Sequence, residues 1–283
     1  MPLIWLKFAT CNDLAELKNQ IRESFAYCEH YDISQPLEIS RAIDTALMPL
    51  WGELPEQHQQ ELAQKIQYWR DGEHLAALCN YYFLRAQLAF HQCEYQDAGA
   101  DLIRAEPFFI AVPGTIIERL WYIYRYLTGL QTHNNPDTDA QLLLVSNWAD
   151  HGPILKPYIA FMKAETIAVQ SSVIAEIRNV YFHAIDLAHE HGYVFLEAFA
   201  FERLGVALST LQHASSQLYY HEAMRVYITC NAPMYAKLLA ERFRLTLPNT
   251  NLDTQVSFDE TNSNRQLEQR LDSEFLLDAT QRS

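Results

Sequence analysis

The stretch that decides the fold is residues 86–105, AQLAFHQCEYQDAGADLIRA. It places small and large side chains in a fixed order: Ala86, Tyr95, Ala98, Leu102 and Ala105. Where two helices touch, small residues are favoured, because a bulky side chain there would push the backbones apart. Large residues then fill the gap to the next pair of helices. The order therefore predicts one helix ending near residue 92 and a second beginning near residue 95.

The end of this pattern recurs twice further along the chain. Tyr181 precedes Ala184 by three residues, as Tyr220 precedes Ala223. Ala105, Ala184 and Ala223 are 79 and 39 residues apart, which corresponds to about two repeat units and one. We therefore predict an all-α, tetratricopeptide-like right-handed solenoid of antiparallel helix pairs. The interval is longer than the roughly 34 residues of a tetratricopeptide unit, so the repeat is degenerate, and an irregular helical bundle is the alternative.

Composition also favours helices. The 283 residues include only 8 glycines and 11 prolines, whereas strand-rich folds need many tight turns. These residues fall between apolar-periodic segments, as they do at helix boundaries. The segments predict helices at approximately 12–30, 36–50, 55–71, 73–92, 95–106, 114–131, 138–149, 154–169, 172–191, 194–211, 214–230 and 233–245.

The sequence indicates three regions. Residues 1–72 should form N-terminal helical pairs packed on the solenoid, and residues 73–247 should form the degenerate repeats. Residues 248–283 are polar and typical of a linker or tail. Within the tail, an apolar side chain recurs every four residues and predicts a short amphipathic helix. Its apolar stripe would consist of Leu267, Leu271 and Phe275.

The balance of charge limits the partners. Lys and Arg number 21 and Asp and Glu 35, which gives a formal net charge of −14. Nucleic acids and anionic membranes attract clustered basic residues, and the sequence has only scattered ones, so neither partner is expected. No window approaches the roughly 18 apolar residues of a membrane-spanning helix. The five cysteines are widely spread and include no C-x-x-C pair, which is typical of a reducing, cytoplasmic setting.

The sequence contains no recognisable catalytic centre. Its two closest glycines, Gly192 and Gly205, are 13 residues apart, whereas phosphate-binding loops need several within a few positions. His189 and His191 lie two apart on a helix end and therefore point in different directions, unsuited to one metal ion. Ser209 lacks the Gly-x-Ser-x-Gly elbow of a hydrolase. We expect no enzyme activity, no cofactor and no metal, and keep an unrecognised enzyme as a third hypothesis.

The second half resembles a known family. The segments that carry the resemblance are WADHGP at 148–153, YFHAIDLAHEHGYVFLEA at 181–198, YYHEAMRVY at 219–227 and AKLLAERF at 236–243. They resemble the tetratricopeptide-like region of large bacterial signalling ATPases, which carry a serine/threonine kinase-like domain, a STAND-type AAA ATPase, a GAF sensor and a histidine kinase. Cys230-Asn231 replaces the Trp-Gly common in that family. The catalytic modules have no matching positions here, so the resemblance implies a regulatory, partner-sensing module.

The first functional hypothesis is a non-catalytic interaction module in bacterial signal transduction. Its partner would be a protein or peptide, such as a kinase or ATPase component, bound in the concave groove. Four residues on one helical face would line that groove: Asn80, Phe83, Gln87 and His91. An aromatic anchor beside amides and an imidazole suits peptide recognition. Alternatively, Phe83 is buried under residues 1–72 and His91 caps its helix. The alternative function is a small-ligand sensor domain of a STAND-ATPase or kinase system.

Overall fold

The computed structural model describes residues 13–51, 59–132, 138–149 and 152–246. Across these residues the regular secondary structure is entirely helical, without a strand, which confirms the all-α class. Twelve α-helices fall within the described parts of the chain, and short 3-10 helices follow or precede some of them.

Each of the twelve helices overlaps a segment predicted from the sequence. The helices are α1 (Leu14–His30), α2 (Ser34–Leu47), α3 (Gln59–Asp71), α4 (Leu75–His91), α5 (Tyr95–Ala105), α6 (Ile116–Thr132), α7 (Thr138–Ala149), α8 (Lys156–Gln170), α9 (Ile174–Glu190), α10 (Val194–Thr210), α11 (Ser216–Thr229) and α12 (Pro233–Phe243). The predicted start of α3, near residue 55, lies outside the described residues.

The chain divides into two units, Met1–Leu245 and Thr246–Ser283. The first unit contains all the helices given above. Within it, α2 and α3 from the expected N-terminal region pack directly on α4. The tail expected at 248–283, with its short amphipathic helix, lies outside the described residues.

One type of turn joins many of the consecutive helices. Its central residue is left-handed, with φ between 52° and 72°, at Asp32, Glu73, Cys93, Gly192, Gln212 and Asn231. The residue that follows donates its N–H to the carbonyl five residues earlier. This is the Schellman ending of a helix, which satisfies carbonyl groups that the last turn would otherwise leave without a donor. The same local geometry therefore reverses the chain at several places.

Helices α4 and α10 form the centre of the first unit. Fifteen of the seventeen residues of α4 are buried, as are twelve of the seventeen of α10. A helix buried on every side must be surrounded by other elements. Accordingly, α4 contacts α2, α3, α5 and α6, whereas α10 contacts α8, α9 and α11. The two also meet each other, because Phe90 and Phe199 lie 5.9 Å apart between ring centroids.

The alanines that define the repeat pattern occupy tightly enclosed positions. Ala105 and Ala223 are fully buried, and Ala184 is 1% exposed. Their predicted burial is confirmed. Among the described helices, none combines the length and the apolar character that crossing a bilayer would require.

Candidate functional site

The four residues predicted to line a groove lie in the interior. Contrary to the prediction, Asn80, Phe83, Gln87 and His91 are each at most 4% exposed. They do share one face of α4, as their spacing indicated. That face is covered by aromatic side chains, among them Tyr124 of α6, whose ring centroid lies 6.1 Å from that of Phe83. No peptide can reach this stripe while the helices are packed in this way.

His91 is part of this interior rather than a helix cap. Its Nε2 lies 2.9 Å from the Tyr124 hydroxyl oxygen. Its ring centroid lies 3.9 Å from that of Phe199 and 5.1 Å from that of Phe195. Burial, with a smaller contribution from the charge of Arg203, lowers the pKa of His91 to about 3. The imidazole is therefore neutral at physiological pH.

A buried ion pair joins α8 and α10. Arg203 donates from Nε to Glu165 Oε1 at 2.9 Å and from Nη2 to Oε2 at 2.8 Å. The Tyr181 hydroxyl donates to Oε1 at 2.5 Å, and Gln131 Nε2 donates to Oε2 at 2.8 Å. Arg203 Nη1 also donates to the Tyr95 hydroxyl oxygen. Side chains from five helices therefore meet at one carboxylate and one guanidinium.

A second pair links α10 to the C-terminal helix α12. Arg242 Nη1 donates to Glu202 Oε1 at 2.9 Å, and the Tyr227 hydroxyl donates to Oε2 at 3.0 Å. Arg242 Nη2 donates to the carbonyl oxygen of Gln92 at 2.9 Å, and its Nη1 lies 3.3 Å from Cys93 Sγ. The α4–α5 turn is thus tied to a helix 150 residues further along the chain.

The pKa shifts in the two buried ion pairs are compatible with a role in holding the helices together. Burial alone would lower the pKa of Arg203, but Glu165 and Tyr95 outweigh it and raise that pKa well above normal. Burial, reinforced by the charge of Glu165, raises the pKa of Tyr181, which keeps its proton and donates. Burial raises the pKa of Glu202 although Arg242 opposes it. Buried charges compensated in this way hold helices in one arrangement.

An open cleft of about 410 Å³ lies between α1, α2 and α3. Small-molecule sites typically enclose about 300–1,000 Å³, so the size is within range. The lining residues carry charges of both signs and aromatic rings: Phe25, Glu29, Glu38, Arg41, Asp44, Lys65, Tyr68 and Trp69. No pattern in the sequence indicated a function for any of them.

The interior side of this cleft is rigidly held. Glu38 is 4% exposed and accepts hydrogen bonds from Arg41 Nη1 at 2.7 Å and from Trp69 Nε1 at 2.8 Å. The side chain of Arg41 remains 41% exposed, with Nη2 3.5 Å from Oε1 of the exposed Glu29. A buried carboxylate thus orients an accessible guanidinium.

A second accessible feature is a group of side chains at the end of α1, called here the α1 aromatic patch: Tyr27, His30, Tyr31 and Ile33. The rings of Tyr27 and Tyr31 have centroids 4.7 Å apart, as have those of His30 and Tyr31. Tyr27 is 59% and Tyr31 58% exposed. Aromatic residues are enriched at protein interfaces relative to the rest of the surface.

No group of three or more His, Cys, Asp or Glu side chains among the described residues could hold a metal ion. His189 Nδ1 instead lies 3.1 Å from Glu197 Oε2. The cysteines in the described part of the chain are free thiols, of which Cys28, Cys79 and Cys230 are buried.

Comparisons with known proteins add no relative. No protein-family model, no curated protein and no solved structure matches the chain.

Proposed function

We propose that the helices form a tetratricopeptide-like solenoid, a right-handed stack of antiparallel pairs. The support is the regular position of the turns. The left-handed residues Gly192, Gln212 and Asn231 follow each other at intervals of 20 and 19 residues. A unit of two helices therefore takes 39 residues, the same interval that separates Ala184 from Ala223.

We further propose that the chain is a non-catalytic interaction module of bacterial signal transduction, acting in the cytoplasm on a protein or peptide partner. The resemblance to the helical region of signalling ATPases supports the biological setting. The observation that carries the proposal is the α1 aromatic patch, because the inner stripe of α4 is buried. Recognition is thereby assigned to the outer surface rather than to a groove.

The patch has the chemistry of a recognition site. Tyr27 and Tyr31 each combine a large apolar area with a hydroxyl, and tyrosine is a common anchor of interface energy. The acidic residues Glu23, Glu29 and Asp32 are close in sequence, and the chain has a net charge of −14. Charge complementarity therefore favours a partner segment that carries basic residues.

The test uses the full chain to capture its partner and two matched double variants to identify the surface. Tyr27→Ser/Tyr31→Ser should weaken binding of the captured protein at least tenfold, since interface tyrosines contribute about 2 kcal/mol or more. Val169→Ser/Val173→Ser removes apolar side chains that are 46% and 57% exposed elsewhere. This control should bind like the unchanged chain. Equal binding by both variants would contradict the proposal.

A small-ligand sensor is the second candidate function, and the cleft between α1, α2 and α3 is the observation that favours it. Ligand binding to the folded state stabilises it in proportion to the logarithm of ligand concentration. In a thermal-shift screen, metabolites that enter the cleft should therefore raise the melting temperature of the chain. No shift with any compound would remove this candidate and leave the protein-partner proposal intact.

A further inference from the structure

We infer that the cleft between α1, α2 and α3 binds a small zwitterion of the α-amino acid class, with an apolar or aromatic side chain. The inference rests on the second candidate function, the small-ligand sensor, and names the ligand chemistry of that site. Three features of the lining carry it: an oriented guanidinium accompanied by an ammonium group, acidic groups at the same cleft, and aromatic walls.

The cationic side of the cleft would hold the carboxylate. Glu38 uses one oxygen to hold Arg41 Nη1 and the other to accept from Trp69, so the guanidinium is fixed before any ligand arrives. Lys65 lines the same cleft, with its Nζ 3.4 Å from Thr45 Oγ1. A planar guanidinium beside a flexible ammonium group is suited to a carboxylate.

The acidic side of the cleft would hold the ammonium group. Glu29 is 60% exposed and meets Arg41 only at 3.5 Å, a distance at which a ligand cation can compete for the carboxylate. Asp44 supplies a second carboxylate to the lining. A ligand with only a negative charge would be repelled by these carboxylates. A ligand with only a positive charge would be repelled by Arg41 and Lys65. A ligand with both charges satisfies the two sides together.

Aromatic rings provide the remaining wall. Tyr68 is 53% exposed, and its ring centroid lies 5.3 Å from that of His74. Phe25 lines the cleft from α1, and Trp69, which is fully buried, closes the inner side. An apolar side chain of the ligand would be placed against Phe25 and Tyr68.

The ligand class can be tested with three compounds that share one aromatic side chain and differ in which charged groups they carry. They are L-phenylalanine, its amide, which lacks the carboxylate, and N-acetyl-L-phenylalanine, which lacks the ammonium group. Titration calorimetry on the full chain should show L-phenylalanine binding at least tenfold more tightly than either blocked compound, because each loses one charge-assisted interaction.

Two variants on α3 link this binding to the cleft. Lys65→Gln should weaken L-phenylalanine at least tenfold and leave the affinity for the amide unchanged. Arg70→Gln changes an exposed cation on the same helix that does not line the cleft, and should alter neither. Equal affinity for the three compounds, no binding of L-phenylalanine at its solubility limit, or an unaffected Lys65→Gln variant would overturn the inference. A different metabolite found by the thermal-shift screen would overturn it while the sensor function survives.

Discussion

Replacing Arg203 by methionine removes the cation from a buried ion pair and keeps much of the side-chain volume. Glu165, which is 1% exposed at its side chain, would retain Tyr181 and Gln131 as donors but lose its counter-charge. Breaking a buried pair in this way costs about 3–5 kcal/mol. We expect Arg203→Met to lower the free energy of unfolding by that amount in urea denaturation.

An exposed ion pair supplies the control. Arg225 pairs with Glu222 at 2.9 Å, and its side chain is 46% exposed. Exposed pairs contribute up to about 1 kcal/mol, so Arg225→Met should have little effect. The double variant Arg203→Met/Glu165→Met should be more stable than Arg203→Met alone, because no uncompensated charge remains. If Arg203→Met and Arg225→Met lowered the free energy of unfolding equally, the buried pair would not be important for stability.

His91 makes stability depend on pH. Its pKa in the folded chain is about 3, whereas its ordinary value is 6.5. Below pH 6.5 the unfolded chain takes up a proton that the folded chain does not, so stability falls as pH decreases from 6.5 towards 3. From pH 7 to pH 5 this loss is about 2 kcal/mol.

The variant His91→Gln isolates that effect. Glutamine is neutral throughout and carries its amide near the position of Nε2, so it can still hydrogen-bond the Tyr124 hydroxyl. Its free energy of unfolding should therefore decline about 2 kcal/mol less than that of the unchanged chain over the same interval. If the free energies of unfolding of the two proteins changed with pH in parallel, His91 would not be buried as described.

Individual residues also show what could and what could not be predicted from the sequence. Arg203 stands in FAFERLGVAL at 199–208, and a charged residue in so apolar a helix indicates burial beside a partner. The identity of that partner, 38 residues earlier, depends on how α8 packs against α10, which no local pattern contains. Phe83 and His91 illustrate the same limit. Their shared face was predictable, but the helices that cover it were not.

Two helical glycines should respond oppositely to alanine. A Cβ at Gly205 in α10 would lie 2.6 Å from the Tyr220 ring of α11, closer than real contacts allow. At Gly99 in α5 the nearest atom is Thr128 Cγ2 at 3.5 Å, an ordinary contact. Helical glycine is less favourable than alanine by up to about 1 kcal/mol, so Gly99→Ala should raise the melting temperature.

Gly205→Ala should lower the melting temperature instead, because displacing Tyr220 or separating α10 from α11 costs about 1–3 kcal/mol. Calorimetric melting of both variants checks the pair. A rise in both would mean that α10 and α11 are further apart than described.

The helices were more predictable than the turns between them. Apolar periodicity extends over many residues, so each helix could be placed to within a few positions. Between the helix predicted to end at residue 71 and the one predicted to begin at residue 73, however, the left-handed residue is Glu73, one position after Gly72. Gln212 adopts the same conformation without any glycine nearby. A Schellman hydrogen bond closes each of these turns, although the left-handed region is normally unfavourable for such residues.

The first unit is held together by contacts between distant parts of the chain. The Leu14 N–H donates to the Cys230 carbonyl at 3.0 Å, which ties α1 to the end of α11. Arg242 reaches the Gln92 carbonyl from α12. These contacts accompany the burial of α4 and leave the surfaces of α1, α2 and α3 as the candidate recognition surfaces.

We propose that recognition uses those outer surfaces because the inner stripe of α4 is covered. Hydroxyl-radical footprinting of the folded chain can test this arrangement, since oxidation of a side chain requires access by solvent. We expect rapid modification of Tyr27, Tyr31 and Tyr68, with Phe83 and His91 unmodified at the same dose. Modification of Phe83 and His91 as fast as that of the three tyrosines would contradict it and restore an open groove.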